Sequence, residues 1–388
     1  MAAQDLATYS VGKPTHEELQ GTWITSNEHF ARLSPDWNQL LARTGHENAF
    51  LTFEWMFTWW RHFGRGKKLA LIVIRAEGRV IGIAPFYISQ RFGLARCMAF
   101  IADEHVGSDH LDVLAAPGCE ASVVAKLASM LLSRLRAWDC IRLGEVGKDS
   151  LAAGLCGRLV AKGMTCNEAP ASTCPYMELP ASFEEYLAGA TANLRQSFRR
   201  RSRKVQEAGS VDFVVLSEPA AVESGFSELL RLHRLRFQQL AQDSVFLKAG
   251  LTEFQKDALH AMAAQGLVRL FLLRVNGESI AAQYGFSLGR SFQAYQSGMH
   301  PEWAKYGVGL LTMGNAIREA IASGHTMFDF LRGCESYKSR WAHLTRQNWT
   351  FRVFSHRPAG VTLRLAFQAA EAMHRAAKVL KKACERAD

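Results

Sequence analysis

Two glycines one residue apart, Gly307 and Gly309, stand immediately before an apolar-periodic run that opens at Leu310. Glycines lack side chains, so backbone N–H groups can close on an anion there, and the dipole at a helix start favours negative charge. Gly307, Val308 and Gly309 are therefore a candidate diphosphate cradle. Carboxylates that could act as bases are Asp109 and Asp329, which would need burial or like-charge neighbours to work near neutral pH. His105 and His110 lie close to Asp109 in sequence and titrate near neutrality. Arg332, Glu335 and Lys338 follow the last expected strand closely, and the fixed cations among them could hold a phosphate or stabilise a developing oxyanion. Each of these residues also has a plain reading: a hydrogen-bonded structural group, a helix-starting loop or a surface ion pair.

The elements that would position them follow from the pattern. A strand is expected over 292–297, a loop over 298–306 and a helix from 310 to about 323, stopped by Gly324. A second strand over 327–331 leads into the charged turn. Upstream, residues 74–82 and 273–281 match as apolar strand, Arg-x-(Glu/Asn)-Gly turn and apolar strand. In each half a long amphipathic helix and a buried strand follow, the strands being 140–143 and 327–330. Similar units in the same order point to two copies of one α/β fold, although such units also recur by chance. The join is expected at 174–182, where Pro175 and Pro180 break regular structure. A basic helix is expected over 183–208, with Arg195, Arg199 and Arg203 on one face, suited to a diphosphate, an anionic surface or simply solvent. Further helices are expected over 221–242 and 361–386, the last basic and amphipathic. Trp55, Trp59 and Trp60 could stack on a sugar ring, but Trp55 and Trp59, at i and i+4, read more simply as core anchors.

Bulk properties narrow the class. A chain of 388 residues with 48% apolar and 21% charged residues is globular and long enough for two domains. A net charge of +10 favours anionic partners without choosing among them. The eight cysteines include no C-x-x-C pair, which argues against a zinc site or disulfide framework and for a reducing cytosol. Residues 1–21 lack the apolar core of a signal peptide, and no run is long enough to span a bilayer.

Three groups of residues resemble a known family: 232–237 (Leu-His-Arg-Leu-Arg-Phe), 295–298 (Tyr-Gln-Ser-Gly) and the block from Asp329 to Trp341. Together they are similar to the GNAT acyltransferase superfamily, in its CelD-like branch associated with cellulose and other exopolysaccharide biosynthesis. Tyr337-Lys338-x-x-Trp341 is similar to the ending of the related Fem-type aminoacyl transferases, which carry two GNAT domains in tandem. In the first half, 53–63 resembles the family's tryptophan-rich entry and 108–112 its Asp-containing strand.

The resemblance implies an α/β fold with a mixed sheet. Two tandem GNAT-like domains (1–178 on the acceptor side, 179–358 on the acyl-CoA side) would precede a basic helix over 359–388. Two central strands would part to admit a pantetheine arm, with Gln296 and Ser297 on one lip and Asp329 on the other. Tyr306, Gly307, Val308 and Gly309 would complete the coenzyme site. Asp109, Asp329, Tyr337 and Lys338 would be catalytic, with Tyr306 or Tyr337 able to protonate a departing thiolate. His110, His233, Arg236, Arg332 and Glu335 would bind substrate, and no metal is expected. One departure stands out: the position that usually carries Arg or Gln before the glycines is Ala304.

The implied activity is acetyl-CoA-dependent (or other acyl-CoA-dependent) N-acylation of a nucleotide- or lipid-linked amino sugar. It would take place in the cytoplasm or peripherally at the membrane's inner face. The alternatives are a Fem-type enzyme drawing on charged tRNA, or a non-catalytic protein that binds an anionic membrane or a nucleotide regulator. Nucleic acid is otherwise not expected, since no RNA module is visible.

Overall fold

The computed structural model describes residues 19–91, 95–239, 249–333 and 335–384. The chain opens with β1 (Gln20–Ile24), α1 (Asn27–Arg32), α2 (Ser34–Thr44) and α3 (Phe53–Phe63). Next come β2 (Lys68–Leu69), β3 (Leu71–Ala76), β4 (Arg79–Ala84), β5 (Phe86–Arg91) and β6 (Ala95–Phe100). The first half closes with β7 (Leu114–Ala115), α4 (Glu120–Ser133), β8 (Cys140–Val146), α5 (Leu151–Val160) and β9 (Thr165–Glu178). The second half repeats the plan: α6 (Phe183–Gly189), α7 (Ala192–Gln206), β10 (Val211–Leu216), α8 (Pro219–Gln239) and α9 (Leu251–Ala263). It continues through β11 (Val268–Val275), β12 (Glu278–Leu288), β13 (Ser291–Met299), α10 (Val308–Ala322), β14 (Met327–Asp329), β15 (Leu344–Phe354) and α11 (Pro358–Cys384).

Among these strands, eleven form one mixed sheet in the order β10-β11-β12-β13-β14-β9-β15-β8-β6-β5-β2, and four form a second sheet, β1-β3-β4-β7. The expected mixed α/β architecture is thus observed. Internal likeness extends to backbone detail. The β3–β4 turn holds Glu77 at φ 50 and Gly78 at φ 77; the β11–β12 turn holds Asn276 at φ 51 and Gly277 at φ 82. Two consecutive left-handed residues make the turn whose twist suits a two-residue hairpin. Each hairpin also slips register at the matching step, Ile74/Arg75 and Leu273/Arg274.

The halves are interleaved. β9, from the first half, pairs with β14 of the second, and β15, from the second, pairs with β8 of the first. β9 and β15 lie against each other from Leu344↔Tyr176 to Phe354↔Thr165. Pro175 therefore sits inside a long strand and not at a break. The helix expected over 183–208 is two helices, because Thr191 caps α7 by accepting the Leu194 N–H at 3.2 Å. The last residues of the helices expected over 221–242 and 361–386 lie outside the described residues.

Two large apolar clusters and a small one around Phe354 and Leu363 support the sheet among the described residues. The largest contains Trp37, Trp55 and Trp59, all fully buried with their indole N–H groups bonded, as core anchors should be. The second packs the apolar face of α10 (Val308, Leu311, Ala316, Ile317, Ala320) around Trp341 and Phe198. Along one side of the amphipathic tail helix Leu363 is buried and Phe367 half-buried, whereas Ala370 and Met373 are exposed.

α8 presses onto β13 at Gly298. A β-carbon there would fall 2.7 Å from His233 N and 3.1 Å from Leu229 O, both backbone atoms that cannot swing aside. Gly298→Ala is expected to force α8 away at a cost of about 1–3 kcal/mol. A melting temperature equal to the wild type would contradict this account of the contact.

Candidate active site

The site begins where a strand pair stops. β13 and β14 run parallel through three pairs, Ser291↔Met327, Phe292↔Phe328 and Gln293↔Asp329. Past that point β13 continues to Met299 while the other chain turns away. Asp329 accepts the Leu331 N–H on its own carboxylate at 2.7 Å, and Leu331 adopts φ 56. The N–H groups of Phe330 and Gly333 donate to carbonyls of β9, at Pro175 (2.9 Å) and Thr173 (3.1 Å). The second strand is thus shorter than the expected 327–331, because β9 captures its end.

Beside the parted strands lies a cavity of about 680 Å³. A second cavity of about 220 Å³ opens from it toward the start of α10. The two share Arg236, Gln283, Ser297, Met313 and Tyr337 as walls. Gln296, Asp109, His233, Arg332, Glu335 and Lys338 face the larger cavity. Gly307 and Gly309 face the smaller. Tyr306 and Val308 line neither: Val308 is buried in the core and Tyr306 lies under Lys204 and Lys305 at 5.1 and 5.4 Å.

No side chain caps the start of α10, where Gly307 adopts φ 70 and ψ 37. Arg201 of α7 lies directly on this end: a β-carbon on Gly307 would fall 1.9 Å from its Nη1. Arg201 also lines the smaller cavity, together with Arg236 and Arg340. Open amides, a helix N-terminus and three guanidinium groups converge there, an arrangement that suits a polyphosphate. Arg201 thus brings a positive charge to the start of α10, where Ala304 carries none. Arg195, Arg199 and Arg203 line neither cavity. Arg195 donates to the carbonyls of Leu187, Ala188 and Ala190 at the end of α6, and Arg199 and Arg203 are exposed. The basic run drew attention to the right helix, but only packing against α10 selects Arg201.

The first half contributes a loop. Residues 108–112, expected as a strand, carry no strand pairing; His110 adopts φ 54 and Asp112 accepts N–H groups of Leu151 and Ala152 at the start of α5. A short acidic side chain that can bond nearby backbone favours such loops over strands. The loop lies along β8 through Leu111 N–H to Glu145 O at 2.9 Å, and Trp55 holds it by donating to Ser108 Oγ at 2.9 Å.

From this loop a buried polar network crosses to the second half. Asp109, fully buried, receives the Arg332 N–H at 2.9 Å and its Nε at 2.8 Å. Arg332 reaches Glu145 at 3.4 Å, and Glu145 accepts from Asn348 at 3.2 Å. Asn348 Oδ1 meets His110 Nδ1 at 2.9 Å, and His110 Nε2 meets Asp329 at 3.2 Å. Burial pushes the Asp109 carboxyl up, opposed by the charges of Arg332 and His110. Burial works to lower His110, yet the bond to Asp329 and the contact with Cys174 hold it well above its ordinary value. His110 is thus held as a cation, fixing Asp329 at the point where the strands part.

Other groups on the cleft carry their own bias. Burial, then the Arg236 charge, lowers His233 to about 4, so its imidazole is neutral at physiological pH. Tyr337 is 37% exposed, yet the packing around it and the Glu335 charge push its phenol up to about 12, leaving the proton in place. Lys338 points its ammonium at three acceptors, the carbonyls of Arg332 (2.5 Å) and Leu331 (3.4 Å) and the Glu335 carboxylate (3.0 Å). That geometry makes it a strut for the charged turn.

A raised His110 pKa fixes the sign of one pH effect. The His110–Asp329 contact contributes its full stability below pH 6.5 and loses it as pH rises through the raised folded value. The melting-temperature gap between wild type and His110→Gln should therefore narrow from about pH 6 to about pH 9. A gap that widens over that range would contradict a protonated His110.

Among the described residues no helix is long and apolar enough to cross a membrane, and no group of three or more His, Cys, Asp or Glu could hold a metal ion. A search of curated proteins found no match by sequence. Among solved structures the chain is similar to FemX, at 12% identity and TM-score 0.59, over 87% of this chain and 98% of that one. It is similar to a conserved protein of unknown function from Bacteroides thetaiotaomicron, at 14% identity and TM-score 0.54, over 86% and 100%. L-PGS from Bacillus licheniformis matches at 12% identity and TM-score 0.52, over 86% and 95%. At such identities the likeness is one of fold. Residues 192–339, which carry the parted strand, the cradle and the charged turn, match the family model described as "Acetyltransferase (GNAT) domain".

Proposed function

We propose that this protein is an N-acyltransferase that takes an acyl group, most simply acetyl, from coenzyme A and passes it to an amine. The observation that carries the reading is the parting of β13 and β14 after Gln293↔Asp329, in line with an anion cradle at α10. The unpaired edge of 294–297 offers main-chain groups to a pantetheine arm, while the α10 amides with Arg201 and Arg340 hold the diphosphate. No metal step is needed.

Chemistry would proceed in the larger cavity. The amine nitrogen attacks the thioester carbonyl, the C–S bond breaks and the sulfur takes a proton. Tyr337 suits the proton donor, since it borders both cavities and keeps its phenol protonated near neutrality. His233, neutral above about pH 4, lines the same cavity beside Arg236. Asp109 positions Arg332, and Asp329 with His110 braces the fork; all three act through the residues they hold.

For the acceptor, an amino sugar or saccharide precursor fits a cavity of about 680 Å³ walled by Arg332, Glu335 and Arg236. That choice, and the CelD-like assignment in exopolysaccharide synthesis, rests on the sequence resemblance. A second reading is favoured by the FemX-like fold and by the exposed cations Arg199, Arg200 and Arg203 beside the cradle. In it the donor is an aminoacyl-tRNA end. Competition for the protein between acetyl-CoA and charged tRNA separates the two.

Two variants test the assignment. Arg201→Ala should weaken coenzyme A binding by about tenfold to a hundredfold, the effect of losing one charge-assisted phosphate contact. Calorimetry with coenzyme A reads it, and unchanged affinity would remove the cradle. Tyr337→Phe should lower kcat by roughly a hundredfold with little change in KM for acetyl-CoA; thiol release across a panel of amino sugars reads that. Full turnover in the variant would reject Tyr337 as the acid.

A further inference from the structure

A third cavity, of about 810 Å³, lies outside the cleft and shares no wall with it. It opens at β2, the edge strand of the large sheet. The path from β14 runs through β9, β15, β8, β6 and β5 to β2, six strand steps, on the order of 28 Å. No single small ligand in the cleft reaches it.

Its walls are chemically one-sided. Arg61, Arg65, Lys67, Lys68 and Arg134 line it, and among the described residues no aspartate or glutamate does. Cations gathered round one mouth without acids raise the local potential and attract a polyanion. Their number exceeds what one phosphate, at about −2, balances. Between them stand three rings, Trp23, Phe57 and Trp60. Trp60 is fixed by donating to Asn27 Oδ1 at 2.7 Å. The Arg134 guanidinium lies over Trp23 at 4.9 Å, a stacking that leaves its in-plane N–H groups able to meet phosphate oxygens. Lys67 is anchored on the Phe63 carbonyl at 2.6 Å. The volume is that of a pocket for a whole small molecule.

From these walls we propose that the cavity binds a diphosphate joined to a ring, a nucleoside or sugar diphosphate. The phosphates meet the Arg61–Lys68 turn and Arg134, and the ring lies against Trp60 and Phe57. The inference does not depend on the acyltransferase reading.

The test uses the full chain and UDP as probe, followed by calorimetry and by tryptophan fluorescence. UDP should bind saturably, in the wild type and in Arg201→Ala alike, since that variant disturbs only the cleft. Arg65→Ala with Lys68→Ala, both surface-exposed positions, should weaken binding by about tenfold or more without lowering the melting temperature. Inorganic pyrophosphate should compete, but more weakly than UDP. Absence of saturable UDP binding, or equal binding by the double variant, would overturn the proposal. Pyrophosphate binding as tightly as UDP would remove the role of the rings. Capture on phosphatidylglycerol vesicles that depends on Arg65 and Lys68, with no UDP binding, would reassign the cavity to a lipid headgroup and overturn it as stated.

Discussion

The account depends on a ladder that stops. Three residue pairs join β13 to β14, and then the hydrogen bonds of 330–333 go elsewhere: to the Asp329 side chain and to carbonyls of β9. Those groups are satisfied without β13, so nothing draws the strands back together. An unpaired strand edge inside a protein costs about 1–3 kcal/mol for each polar group left without water or partner. A ligand that offers amides of its own relieves that cost, which is why a fork of this kind favours an extended, amide-bearing donor over a compact one.

The two halves treat the same fork differently. In the first, β6 and β8 run parallel from Cys97↔Cys140 to Ala99↔Arg142, and loop residue Leu111 then occupies the edge of β8 by bonding Glu145 O. That half's fork is filled by its own chain. The filling loop carries Asp109 and His110 into the second half, where they hold Arg332 and Asp329. A loop of the first half thus walls the cleft of the second. Interleaving of β9 and β15 makes this arrangement cooperative, since neither half completes its sheet alone.

Much of this was legible in the sequence because it is local. Asn-Gly and Glu-Gly steps between β-rich runs marked both hairpins, and a glycine pair before a 3.6-residue period marked the start of α10. Residues that act through distant partners were not legible. Arg201 differs in no way from its neighbours in a run of six cations until α10 packs against it. The crossing of β9 over to β14 has no local signal, and Pro175 argued against it. Residues 108–112 were read as a strand from the family resemblance, yet Asp112 finds its partners forty residues away at the start of α5. Lys338 was read from its charge and from the Tyr337-Lys338-x-x-Trp341 resemblance; its three acceptors are carbonyl and carboxylate oxygens that only the folded turn assembles.

A structure determined with coenzyme A bound addresses the central claim most directly. The account predicts pantetheine lying between β13 and β14, bonded to main-chain groups of 294–297, with the diphosphate on the Val308 and Gly309 amides and in contact with Arg201. Coenzyme bound elsewhere, or β13 and β14 zipped past Gln293 and Asp329 in the complex, would contradict it.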